Sequence, residues 1–223
     1  MAAFRDLAGE LNGGGERMRV DVCEEPLTTL AEYARVPIAF EVRRVLELTV
    51  RDGGLGGFVL TERELIAPYV KDYDALRGEH PTVWARRFDV SHWGLLVARA
   101  GSQRVGGAVL AWRTPDLDML EGRADLAVVW DIRVAPSARG RGVGAALFRA
   151  AEAWAAARGC PQLKVETQNV NVPACRFYAR QGCVLGAINR FAYAALPDEV
   201  QLLWYKTLSD DASPGDAIAG ATG

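Results

Sequence analysis

The stretch that most constrains this chain runs from Leu126 to Gly159. Leu126 to Val134 (LAVVWDIRV) is a β-branched, mostly apolar run that stops at Ala135-Pro136-Ser137. It is followed by Arg139-Gly140-Arg141-Gly142-Val143-Gly144, and then by apolar residues three to four apart at Val143, Leu147, Ala150, Ala151 and Trp154. The spacing predicts a strand, a glycine turn and a helix over 143–158, closed by Gly159. At such a helix N-terminus the free backbone N–H groups carry partial positive charge, and glycines let an anion approach the main chain closely. The arrangement suits a pyrophosphate, with Arg139 and Arg141 adding charge at the rim.

Arg-x-x-Gly-x-Gly is weak alone in a chain with 23 glycines and even more basic residues, so its competitors matter. A P-loop requires Gly-Lys-Ser/Thr at its end, whereas Gly144 is followed by Ala145 and Ala146. The dinucleotide fingerprint fits better, as Gly140-x-Gly142-x-x-Ala145 with Glu166 about 20 residues on. Against it, residues 135–139, with Pro136 among them, separate strand from glycines. Too little chain follows for further βαβ units.

Gly94 to Ala100 and Arg104 to Trp112 flank Gly101-Ser102-Gln103 as a hairpin. Gln162 to Gln168 predicts a strand, Pro173 to Arg180 a helix, and Val184 to Phe191 and Glu199 to Thr207 two more strands. Upstream, Phe40 to Val50 and Phe58 to Arg63 read as strands around Gly53 to Gly57, a flexible excursion suited to substrate contact. The order implies a mixed α/β sheet. We expect one domain over 18–208, with a disordered head (1–17) and tail (209–223). A formal charge of -2 with no basic run gives no nucleic-acid surface. Four scattered cysteines and two histidines argue against a metal or a disulfide framework. Without a signal sequence or an 18-residue apolar span, a cytoplasmic protein with no membrane partner is expected.

DIRVAPSARGRGVGAALFRAAEAWA resembles motif A, and NVNVPACRFYARQG motif B, of the GNAT N-acetyltransferases. The resemblance covers about Trp93 to Thr207. It implies a mixed, mostly antiparallel sheet whose two parallel strands splay apart around the pantetheine arm of acetyl-CoA. It also implies that the main chain of Ile132, Arg133 and Val134 bonds that arm and that Arg139, Gly140, Arg141, Gly142, Val143 and Gly144 hold the pyrophosphate. Asn171 would meet the cofactor, and Tyr178 would protonate the departing thiolate; the alternative for Tyr178 is a half-buried packing aromatic. VETQNVNVPACRFYARQGCVLG and PDEVQLLWYKTL, with FEVRR and Pro68 to Tyr73, are similar to the streptothricin acetyltransferase branch, which acetylates an amino group of an antibiotic bearing a β-lysine arm. The chain departs from that branch at Trp130, where an acidic residue is usual, and at Cys183, where a phenylalanine is.

An alkyl ammonium with pKa near ~10.4 is about one part in a thousand or less neutral at pH 7, so transfer to an amine requires its proton to be removed. Asp131 is the candidate base, directly or through a water; equally it fits a structural carboxylate. Glu166 and Asp72 are weaker candidates for the base; each equally fits binding of a cationic substrate or a solvated carboxylate. Trp84, Trp93, Trp112, Tyr193 and Trp204 are expected in the core, and Trp130 is expected to line an acceptor pocket. The expected activity is acetyl transfer to a primary amine of a small molecule in a ternary complex; the sequence itself fixes no oligomeric state, although many members of the family it resembles pair as homodimers. Two other readings fit the same motifs: acetylation of a protein N-terminus or lysine, and a CoA-binding sensor that has lost its chemistry.

Overall fold

The computed structural model describes residues 18–208; the expected head and tail lie outside them. Seven strands form one sheet in the order β1-β4-β5-β6-β7-β9-β8: β1 (Asp21–Glu25), β4 (Gly94–Ala100), β5 (Gln103–Ala111), β6 (Leu126–Val134), β7 (Gln162–Gln168), β8 (Val184–Asn189) and β9 (Gln201–Thr207). β2 (Phe40–Val50) and β3 (Phe58–Lys71) make a separate antiparallel hairpin. Among the described residues only β6 and β7 pair in parallel, which does not fit the repeated parallel units of a dinucleotide fold. No helix of the described residues is long and apolar enough to cross a membrane.

The sheet buries both faces. On one, α3 (Val143–Ala156) and α4 (Val172–Arg180) pack Leu147, Phe148, Trp154 and Cys175 against Ala127, Val129, Leu163 and Val165. Opposite, α1 (Leu30–Tyr33) and α2 (Trp84–Arg87) enclose Tyr33, Trp84 and Trp93 with Leu95, Val97, Val109 and Val128. β4 and β5 are apolar nearly throughout because each has a covered face on either side.

Three expectations change. Helix α3 ends at Ala156, with Gly159 left-handed (φ 72°) beyond it. β3 runs on to Lys71, past the expected end at Arg63. A two-stranded ribbon half-open to water has no continuous apolar side to mark its length, and Leu65 to Pro68 bulge out opposite Arg43. The glycine cluster is no loose excursion but a tight turn, with Arg51 N–H bonding Gly57 O and Gly56 N–H bonding Arg51 O.

Candidate active site

β6 and β7 pair only from Leu126↔Gln162 to Val129↔Val165, then diverge. The cause is visible on β6: Val109 faces Asp131 and Leu110 faces Val129, so Trp130 is an extra residue. Such a bulge bends its strand and turns neighbouring side chains to one side. Beyond it β6 keeps its partner β5 through Val134. Its other edge, at Ile132, Arg133 and Val134, opens on a cleft of about 840 Å³. Val128 to Val134, Val165 to Gln168, Arg139, Asn171 and Tyr178 all line it.

The glycine loop begins at Arg139, which lines this cleft. Gly140 and Gly142 are left-handed (φ 73° and 87°), and a Cβ on either would point into open space, so the loop presents an unobstructed main chain at the N-terminus of α3. Gly144 adds a packing role: a Cβ there would lie 3.3 Å from the Phe177 ring, a tight contact between α3 and α4. Arg141 is half-buried and its carbonyl accepts from Met18 N–H. Arg139 folds back, its Nε donating to Val134 O at 3.0 Å and its terminal nitrogen to the carbonyls of Pro37 and Ala39.

Asn171 caps α4, accepting from Ala174 N–H at 3.1 Å, so the motif's asparagine sets the helix start as well as lining the cleft. Seven residues on, Tyr178 is buried edge-on to Phe148 and Phe177 at 5.7 and 5.1 Å. Burial holds its phenol well above the usual tyrosine range, reinforced by the thiol of Cys183 and the carboxylate of Asp131. At neutral pH it is a proton carrier and not a phenolate.

Asp131 and Arg133 share one face of β6, and their side chains form a buried ion pair. The guanidinium also holds Asp74 at 2.9 and 3.1 Å, donates to Val36 O at 3.2 Å and lies 4.8 Å from the centre of the Tyr33 ring. Burial raises the Asp131 carboxyl against the opposing pull of Arg133. The Arg133 side chain is therefore structural, while its main chain stands on the open edge. Trp130 lines the cleft inside an aromatic cluster, 5.2 Å from Phe88, 5.6 Å from Trp93 and 6.4 Å from Trp84.

Because strand side chains alternate, Val165 and Thr167 join the α4-side core, while Glu166 and Gln168 point through the gap to the opposite face. There Glu166 accepts from Tyr193 Oη at 2.5 Å, Gln168 Nε2 at 3.1 Å and Gln201 Nε2 at 2.6 Å. Tyr193 is thus a cleft residue and not a core aromatic. Asp72 is exposed and accepts from Asp74 N–H outside the cleft; Asp74, two residues on, lines it instead. Sequence reasoning also missed Tyr73, which donates to Gln168, and Lys71, which pairs with Glu199 at 2.5 Å. Among the described residues no group of three or more His, Cys, Asp or Glu could hold a metal ion.

Strand, bulge, glycine loop and both helices coincide with a family profile: residues 61–183 match the acetyltransferase (GNAT) family. The chain belongs to the GNAT acetyltransferase family. The streptothricin acetyltransferase of Escherichia coli is 30% identical over 193 residues, covering 84% of this chain and 95% of that one. Nourseothricin acetyltransferase superposes with a TM-score of 0.66 at 25% identity, covering 85% of this chain and 99% of that one. A Bacillus anthracis str. Ames protein assigned as a streptothricin acetyltransferase, solved in complex with acetyl coenzyme A, superposes at 0.65 with 24% identity, covering 87% and 100%. The GNAT fold accounts for the splayed β6–β7 pair, and the acyl donor of the family is acetyl-CoA. The open β6 edge and the unobstructed glycine loop fit that donor's arm and pyrophosphate.

Proposed function

We propose that this GNAT protein transfers acetyl from acetyl-CoA to a primary amine of a small cationic molecule, of the streptothricin class, in the cytoplasm. The observation that carries the reading is the form of the cleft. A cofactor groove between β6 and β7 opens through the sheet onto a chamber lined by Trp84, Trp130, Glu166 and Tyr193. The β2–β3 hairpin lines this region with Phe40, Glu41 and Lys71, and it is held to the domain away from the cleft, where Leu46 N–H bonds Asn169 O, Asn169 Nδ2 donates to Leu46 O, and Arg176 pairs with Glu62. The loop between β8 and β9 closes another side through Lys71–Glu199. A walled chamber suits a compact amine better than an extended peptide.

Bound acetyl-CoA supplies an activated acetyl thioester. The main chain of Ile132 to Val134 would orient it, the main chain of the Arg139 to Gly144 loop would hold its phosphates while the Arg139 side chain stays folded onto the carbonyls of Val134, Pro37 and Ala39, and Asn171 would flank the arm. Tyr178, kept protonated by burial, would donate its Oη proton to the sulfur as the amine nitrogen bonds the acetyl carbon and the C–S bond breaks; of the ammonium's two surplus protons, one leaves to solvent before attack and the other returns to Tyr178 Oη. Of the two roles left open for Asp131, the geometry supports the structural one. Its two oxygens are engaged by Arg133, and the pair fixes the face of β6 behind the bulge.

Mass spectrometry of a panel incubated with protein and acetyl-CoA tests the reading: streptothricin, polyamines, amino acids, and peptides with free N-termini or lysines. Acetylation of streptothricin or another small amine is expected. Acetylated peptides with every small amine unmodified would replace it with the protein-acetylation reading, and no product from any amine would favour a CoA-binding sensor.

A further inference from the structure

We propose that Glu166 anchors the acceptor's ammonium and that Tyr193, from the loop between β8 and β9, is the residue that positions it; the inference rests on the amine-acetylation reading above. Six carboxylates line the cleft. Glu41 pairs with Arg43, Glu79 with Arg87, Glu199 with Lys71, and Asp74 and Asp131 share Arg133. Among the described residues Glu166 has no cation. It is held by neutral donors only, Tyr193 and Gln168 on Oε1 and Gln201 on Oε2.

That arrangement orients a negative charge without neutralising it. A carboxylate offers about four acceptor positions; three are occupied, and the fourth, on Oε2, is left for a single N–H donor. A half-buried, uncompensated charge favours a cationic partner over a neutral one. The donors are themselves fixed. Tyr73 donates to Gln168 Oε1, which commits Gln168 Nε2 to Glu166 and to Tyr193 Oη at 2.8 Å. The Tyr193 phenol, raised by burial and by Glu166, stays a donor. The remaining acceptor position of Glu166 therefore has one direction, set by a residue far along the chain, and the class of ligand it takes is a primary alkyl ammonium.

The test is steady-state kinetics of the full chain with streptothricin varied at saturating acetyl-CoA, for the wild type, Tyr193→Phe, Gln201→Leu and Glu166→Gln, beside calorimetric acetyl-CoA affinity. Losing one orienting hydrogen bond raises KM for the amine about tenfold, with kcat within a factor of about three. Glu166→Gln raises KM further, and acetyl-CoA affinity stays unchanged in all three. A fall in kcat at constant KM would make Glu166 a base and overturn the anchor, as would an unchanged KM in both Tyr193→Phe and Gln201→Leu. If the wild type binds acetyl-CoA yet turns over no amine, the reaction assignment fails by itself. The anchor is then read by calorimetry of streptothricin with the CoA-loaded protein, where binding lost in Glu166→Gln supports it and equal affinity, or no wild-type binding, refutes it.

Discussion

Asp131→Asn separates a structural carboxylate from a catalytic base in one protein. The substitution keeps the side-chain volume and one acceptor oxygen, but turns an amide NH2 toward the Arg133 guanidinium. Arg133 retains two contacts to Asp74, at 2.9 and 3.1 Å, and one to Val36 O at 3.2 Å, so its charge is not orphaned. The loss is then one charge-assisted hydrogen bond, about 1.5–3 kcal/mol, below the ~3–5 kcal/mol of breaking a buried pair outright. Against a total stability of about 5–15 kcal/mol this is readily measured by denaturant titration. If Asp131 only buttresses β6, kcat at saturating amine falls less than about tenfold, whereas loss of a general base costs ~10²–10⁴. A stability change under about 0.5 kcal/mol together with a kcat loss of a hundredfold or more would refute the structural assignment.

Other outcomes follow from the same geometry. Tyr178→Phe is expected to lower kcat by one to several powers of ten while acetyl-CoA affinity by calorimetry holds; an unchanged kcat would leave the ring as packing against Phe148. Gly142→Val forces a β-branched residue to φ 87°, costing at least ~1–2 kcal/mol and weakening acetyl-CoA binding in the same titration. Burial raises the phenols of Tyr33, Tyr73, Tyr178 and Tyr193. Their neutral forms stabilise the fold below the unfolded pKa of ~10, and that contribution falls above it by up to about 1.4 kcal/mol per pH unit for each phenol. Thermal melts should therefore decline steeply from pH 10 upward, and a flat profile would contradict the burial of these rings.

The centre of the site was legible because its signals are local. The apolar run of β6, the glycine loop and the start of α3 each lie within a few residues and fell where the sequence placed them, whereas the cap at Asn171 emerged only from the structure. What escaped depends on contacts between distant segments. Tyr193 reads as a core aromatic until β8 and β9 bring it, 27 residues from Glu166, back over the cleft. Lys71 and Glu199 lie 128 residues apart. The bulge at Trp130 leaves no mark on composition, yet it parts β6 from β7 and turns Asp131 toward Arg133. Of the two nearby aspartates, Asp72 stays exposed and Asp74 is the carboxylate that turns inward, a difference of two positions that only the fold decides.

The most direct measurement of the central claim is CoA release by the wild-type protein as streptothricin is titrated at saturating acetyl-CoA. A saturable rise with one acetyl group gained by the antibiotic per CoA released is predicted. A rate no higher than acetyl-CoA hydrolysis without amine, across the whole titration, would contradict it.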